Sequence, residues 1–203
     1  MRSKEEIQKV WDDLHAREDE LRLSGCKYKE TIDFLHITDK LKKGDKVLEV
    51  GVGMGYVTKG FYDAGISISA LDISHIALDR VREYCDSTYS LDDIELLPYN
   101  YFDFIICHNG IQHIPTYLLE KELYLIILSL KPTGIFALEF ISSDVGEDAE
   151  WDSDIGCYCR TPEFMNTLIE KHDGYVSEVI QDYRAKITHN INGCFVYHVK
   201  RKI

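Results

Sequence analysis

Nowhere in its 203 residues does the chain carry an apolar run of about 20, the length a helix needs to cross a bilayer. The opening MRSKEEIQKVWDDLHARED is charged throughout and lacks the apolar core of a secretory leader, so a cytoplasmic protein with no membrane partner is expected. C-x-x-C pairs are missing too. Cys26, Cys85, Cys107, Cys157, Cys159 and Cys194 are scattered, two of them inside apolar strand patterns, which points to reduced thiols. The one close pair, Cys157 and Cys159, lacks the further ligands of a structural zinc. Positive charge is scarce: 23 Lys and Arg stand against 35 Asp and Glu, a formal net charge of −12, and the cations are dispersed among acids. That disfavours a nucleic-acid partner held by phosphate neutralisation and favours a small-molecule one. No repeat or low-complexity segment is visible.

What is present suits one globular domain. With 45% hydrophobic residues, a chain of this length hides roughly 70% of its unfolded surface. Two helical patterns come first, Lys4 to about Leu23 with Ile7, Val10, Trp11 and Leu14 on one face, and Lys29 to Leu41 with Ile32, Leu35, His36 and Leu41. Residues 1–43 therefore read as a helical cap. From Lys46 onward short apolar runs alternate with helical patterns, the signature of βαβ units. Strands are expected near Lys46–Val50, Ser67–Leu71, Thr88–Leu91, Phe102–Cys107 and Gly134–Phe140, and helices near Tyr56–Asp63, His75–Tyr84 and Thr116–Leu130. A further helix starts at Thr161, a side-chain cap followed by Pro162, and stops before Asp173-Gly174. Two strand-like runs, Tyr175–Ile187 and Cys194–Lys200, close the chain, joined by a loop ending in the hairpin signal Asn192-Gly193.

The most informative stretch is VLEVGVGMGYVTKGF, Val47 to Phe61: a buried strand ending in Glu49, then glycines at 51, 53 and 55. Glycines reach positive φ and let a ligand press on the backbone, at the place where open α/β sheets bind nucleotides. A dinucleotide fingerprint needs G-x-G-x-x-G, and its third glycine would fall where Tyr56 stands. The pattern E-x-G-x-G-x-G, with Asp72 ending the next apolar run, resembles class I S-adenosylmethionine-dependent methyltransferases. The resemblance continues through LPYNYFDFIICHNGIQHI (Leu97 to Ile114) and LKPTGIFALEF (Leu130 to Phe140), and extends from about Tyr28 to the C-terminus. It implies an α/β three-layer sandwich of seven mostly parallel strands in the order 3-2-1-4-5-7-6, closed by an antiparallel C-terminal hairpin, in a single domain over 1–203.

The same resemblance assigns the cofactor site. Gly51, Gly53 and Gly55 pass beneath the methionine and ribose portions of S-adenosylmethionine, and Glu49 faces the α-amino group as a charge-assisted partner. Asp72 accepts the two ribose hydroxyls, or caps the helix that follows it, roles that are compatible; Ile73 lies along the adenine. In DDIELLP, Asp93 and Ile94 contact the adenine edge, with Asp92 leaving a one-residue ambiguity. CHNG, Cys107 to Gly110, falls at the sulfonium end and makes His108 a cofactor-site residue. It matches neither the N-P-P-Y of adenine- or glutamine-directed enzymes nor the aspartate of metal-dependent catechol-type ones, so no metal is expected.

Methyl transfer from a sulfonium needs in-line alignment first, and orientation of that kind supplies about 7 to 11 kcal/mol. A hydroxyl acceptor also needs a base, for which imidazole is suited near neutral pH; His108 and His113 are the two candidates. The segment SSDVGEDAEWDSDIGCYCR sits where this fold supplies acceptor recognition, and Trp151, Tyr158 and Arg160 within it are the candidate substrate contacts. It is read either as a lid closing over acceptor and cofactor or as a solvated acidic loop, and Arg160 as an anion holder or a salt-bridge partner at the next helix. The reading is O-methylation of a small polar metabolite, such as a sugar or a surface-polysaccharide precursor, with S-adenosylhomocysteine as product. The alternatives are a non-catalytic module that binds the cofactor and, further off, a nicotinamide-dependent oxidoreductase.

Overall fold

The computed structural model describes residues 2–17, 27–143, 149–152, 157–182 and 191–202. Two helices precede the sheet: α1 (Lys4–His15) and α2 (Tyr28–Phe34). Then follow β1 (Lys46–Val50), α3 (Tyr56–Asp63), β2 (Ser67–Asp72), α4 (His75–Val81), β3 (Ser87–Ser90), β4 (Phe102–Cys107), α5 (Thr116–Ser129) and β5 (Leu130–Ser143). A short antiparallel pair, β6 (Ala149–Asp152) and β7 (Cys157–Cys159), leads to α6 (Pro162–Lys171), and β8 (Gly174–Asp182) and β9 (Ile191–Arg201) end the chain.

The main sheet has the order β3-β2-β1-β4-β5-β9-β8. Renumbered within the sheet this is 3-2-1-4-5-7-6, parallel from β3 through β5 and antiparallel where β9 meets β5 and β8. β1 lies between β2 and β4 and is covered on both faces, which is why four of the five residues of KVLEV are buried. Its side chains alternate between two cores. Leu48 and Val50 join Leu119, Leu123 and Ile127 of α5 and Met165 and Ile169 of α6 on one face. Val47 joins Ile32, Val57 and Phe61 on the other, from α2 and α3. The result is a three-layer sandwich. Among the described residues no helix is long and apolar enough to cross a membrane.

Several boundaries differ from the sequence reading: α2 stops at Phe34, well short of Leu41, and α4 stops at Val81, with Arg82–Tyr84 continuing as a 3-10 turn. Asn192 and Gly193 lie inside β9 and not in a turn: Gly193 pairs with Ser142 and Ile191 with Ser143, so β9 carries one extra residue there, a bulge. The dipeptide therefore absorbs an irregularity in pairing that composition does not distinguish from a hairpin. β5 begins at Leu130, directly after α5, because Phe102 already pairs with Leu130 before the register shifts to Phe104 and Ile135. Gly134 marks that shift, since a Cβ on it would fall 2.7 Å from Leu130 Cδ1 and 2.9 Å from the Asp103 carbonyl oxygen. α1 ends at His15, and 18–26 lie outside the described residues.

Helix α2 docks on α3 through a glycine. The Tyr28 ring meets Phe61 edge-on at 4.9 Å, and a Cβ on Gly60 would sit 2.1 Å from Tyr28 Cβ, part of the side chain that cannot swing away. Gly60→Ala is therefore expected to lower stability by about 1 to 3 kcal/mol through overpacking, read as a drop in the urea midpoint.

Glu122 on α5 is buried, with Oε2 lacking a hydrogen-bond partner, and burial pushes its carboxyl from 4.5 up to about 8. Between those values the folded chain holds a proton that the unfolded chain has released, so stability falls as pH rises, by up to about 1.4 kcal/mol per pH unit. Glu122→Gln removes that titration. Thermal melts of the variant at pH 5 and pH 8.5 are expected to lie closer together than those of the parent.

Candidate active site

The turn between β1 and α3 runs through three left-handed residues, Gly51 at φ 81°, Gly53 at 50° and Gly55 at 77°. Each glycine does a different job. A Cβ on Gly51 would stand 3.2 Å from Gly110 Cα, so the turns after β1 and β4 touch backbone to backbone. Gly53 is open on its outer side, and Gly55 is the N-terminal cap of α3, where a Cβ would strike Val81 Cγ1 at 2.5 Å. Gly51 and Gly53 border a cleft that opens to solvent and is bounded by the ends of β1, β2 and β4. Gly55 packs on α4 instead.

Asp72 ends β2 in the cleft and is almost fully buried. One of its oxygens accepts from the Ser74 amide at 2.8 Å, the other from the Gly53 amide at 3.3 Å. A carboxylate has about four acceptor sites, so capacity remains for two hydroxyl donors. Burial raises its pKa, against the pull of those amides and of nearby His15. Both sequence-derived roles coexist here, because Asp72 ties the turn and faces the cleft. Ile73 and Leu91 supply apolar wall beside it.

Glu49 lies behind the turn, on the face shared with Val47, and does not border the cleft. Thr58 Oγ1 donates to it at 2.6 Å, but burial dominates and pushes its carboxyl up to about 8. A cation beside it would favour the charged form, as an ammonium or sulfonium would.

At the end of β4, His108 Nδ1 meets Glu139 Oε2 at 2.5 Å, and the same oxygen accepts from the Asn109 amide at 2.8 Å. Glu139 is buried on β5, and the His108 ring rests against Phe34 at a centroid distance of 5.1 Å. Asn109 takes a φ of 54°, a strained turn that the carboxylate holds. His113 follows in a short 3-10 turn and borders the cleft, its ring meeting Trp11 edge-on at 4.7 Å. The two candidate bases thus have different surroundings: His113 borders the cleft and meets an indole, whereas His108 has a buried carboxylate partner and lies outside the cleft lining.

The remaining predicted positions lie elsewhere. Asp93 accepts from Ser90 Oγ at 2.8 Å and Ile94 is buried in the core beside Leu91; neither borders the cleft. Arg160 is fully buried and donates to the carbonyls of Ile111, at 2.9 Å, and Ile114, with the Tyr158 ring 5.7 Å away. Its guanidinium braces the turn that carries His113 and is turned away from solvent. Tyr158 is buried with it. Trp151 belongs to β6, and its side chain falls outside the described residues, as do Asp144, Glu147, Asp148 and Asp154 of the acidic segment.

Sequence reading missed the wall that α1 contributes. Ile7, Trp11 and His15, spaced by four, all border the cleft from above. The apolar pattern of α1 includes Ile7 and Trp11; extending that four-residue spacing one turn further reaches His15. It also missed Glu139, which stands alone in an apolar strand and has no local motif.

Residues 47–134 match the family model of the methyltransferase domain. Over that stretch the chain is similar to methyltransferase domains. Solved structures with the same fold include a Burkholderia thailandensis 1,6-didemethyltoxoflavin-N1-methyltransferase with bound 1,6-didemethyltoxoflavin and S-adenosylhomocysteine. That likeness has a TM-score of 0.75 at 15% identity and covers 100% of this chain and 92% of that one. The magnesium protoporphyrin IX methyltransferase of Synechocystis PCC 6803, with bound S-adenosylhomocysteine, gives 0.72 at 13%, covering 98% and 100%. A Haemonchus contortus N-methyltransferase in complex with phosphomonomethylethanolamine and S-adenosylhomocysteine gives 0.73 at 19%, covering 100% and 61%. A probable non-canonical nonribosomal peptide synthetase of Salinispora arenicola is 30% identical over 80 residues, 35% of this chain, which spans only 1% of that much longer protein.

All three of these solved structures hold S-adenosylhomocysteine, and the cleft here offers features that fit such a nucleoside: a glycine wall free of Cβ atoms, a buried carboxylate with spare acceptor capacity and an apolar flank. Gly51→Ala puts a Cβ against Gly110 at a positive φ. It is expected to weaken S-adenosylhomocysteine binding at least about tenfold by calorimetry while Asp72 stays in place.

Proposed function

We propose that this methyltransferase moves the methyl group of S-adenosylmethionine to a hydroxyl of a small polar metabolite, with His108 as the general base. The observation that carries this reading is the contact between His108 and buried Glu139 at the end of β4. S-adenosylmethionine supplies an activated methyl on sulfur, and the chain supplies position and a proton acceptor. Gly51 and Gly53 support the cofactor's backbone-facing side, Asp72 accepts from its ribose, and Ile73 and Leu91 flank its base.

The tautomer of His108 follows from its neighbours. Gln112 Nε2 lies 3.3 Å from Asn109 Oδ1, which turns the Asn109 amide nitrogen toward His108 Nε2, also at 3.3 Å. An amide nitrogen only donates, so Nε2 is the acceptor and the ring proton sits on Nδ1, facing the Glu139 carboxylate. In this arrangement the Nε2 lone pair accepts from Asn109, and withdrawal of that amide frees it to take the acceptor's proton as the new oxygen–carbon bond forms, with Glu139 stabilising the resulting imidazolium. His113 serves as cleft wall. The net charge of −12 supports a small acceptor over a nucleic acid.

A nitrogen acceptor is the second reading, favoured by the N-methyltransferases among the structural neighbours. Transfer of labelled methyl to a panel of hydroxylated and amino metabolites separates the two. On a hydroxyl acceptor, His108→Gln is expected to lower kcat by about 10² to 10⁴ with S-adenosylhomocysteine affinity unchanged. Full activity of that variant, or collapse only in His113→Ala, overturns the base assignment; turnover on amines alone selects the second reading. Binding without turnover on any acceptor leaves a cofactor-binding module.

A further inference from the structure

We propose that His15, on the N-terminal helix, hydrogen-bonds the ribose hydroxyls of the cofactor from the side opposite Asp72. The inference rests on the cofactor reading above and adds to it a residue outside the sheet. His15 is only 4% exposed, borders the cleft, and its Nδ1 has no hydrogen-bond partner. Nδ1 is sealed from the cleft, so Nε2, the nitrogen nearer the glycine turn, is the one that a ligand reaches.

Its position selects the ribose. Nε2 stands 4.0 Å from where a Cβ of Gly53 would be, and the Gly53 amide is the one that donates to Asp72. Imidazole and carboxylate therefore flank the same stretch of cleft. A vicinal diol donates two protons and offers two oxygens as acceptors. An ionised Asp72 only accepts, so it can take the donated protons, and the hydroxyl oxygens are left needing a donor. A neutral imidazole carries one N–H. Burial lowers the pKa of His15, which keeps the ring in that neutral form.

The ring is held where it is needed. The Arg80 guanidinium donates to the His15 carbonyl at 3.0 Å and to the Gly53 carbonyl at 3.4 Å, tying the end of α1 to the glycine turn. One turn earlier, Asp12 Oδ1 accepts from Ser74 Oγ at 2.7 Å and from the Ile76 amide at 3.3 Å. Helix α1 is thus clamped to the two elements that carry Asp72 and Gly53.

Calorimetry with S-adenosylhomocysteine and with its 2′,3′-dideoxy analogue tests this. His15→Ala is expected to weaken the parent ligand about tenfold and the dideoxy analogue by less than about twofold, while His15→Gln, whose amide can reach the Nε2 position, recovers part of the loss. Circular dichroism melts of both variants check that α1 stays folded. An equal loss on both ligands, or no loss on either, overturns the proposal and leaves His15 as packing. If the unmodified protein binds neither ligand, the cofactor reading itself falls, a result distinct from either of those.

Discussion

The close contact between two backbone turns, Gly51 after β1 and Gly110 after β4, is the constraint on which the site depends. Both turns leave the same end of adjacent parallel strands, and neither can carry a side chain there without driving them apart. Because they meet, the ends of β1 and β4 form one continuous wall, with β2 supplying Asp72 at its edge. A ligand in that cleft lies on backbone, where amides and not side chains set the shape.

Around this wall the chain buries three carboxyl groups, Glu49, Asp72 and Glu139. Each costs desolvation, and burial raises the pKa of the first two against the hydrogen bonds that support them. Such an arrangement is poor for stability and well suited to a ligand that is cationic at one end and rich in hydroxyls in the middle. Glu139 differs in that its partners are already present, the Asn109 amide and the His108 ring, so its task is to fix a turn.

Helix α1 completes the enclosure. Its Ile7–Trp11–His15 face gives the cleft a roof, and its polar side is latched at several points, among them Lys4 to Asp92 at 2.6 Å and Tyr117 to the Arg2 carbonyl at 2.7 Å. The Lys4 pair is partly exposed and adds little energy by itself; together with the Asp12 and Arg80 contacts it sets the helix's direction. Roof and wall meet at Trp11 and His113, and Arg160 secures the turn below them from the core side.

The central strands, their order, the glycine turn and Asp72 were legible in the chain because they obey local rules: apolar runs of strand length, glycines at positive φ, an acid at a strand end. The seven-stranded topology followed from the family pattern that those residues share. Gly55, Asp93, Ile94, Tyr158 and Arg160 were not legible in the same way. Their side chains point where packing directs them, and a sequence motif gives position along the chain but not direction. The pairing of Glu139 with His108 spans 31 residues and that of His15 with the glycine turn 38, distances at which no periodicity carries information. Local chemistry determined where a nucleotide can lie. Only the packing of α1 and β5 against that turn decided which imidazole gains a buried carboxylate and which is left facing the cleft, because both outcomes depend on contacts between elements far apart in sequence.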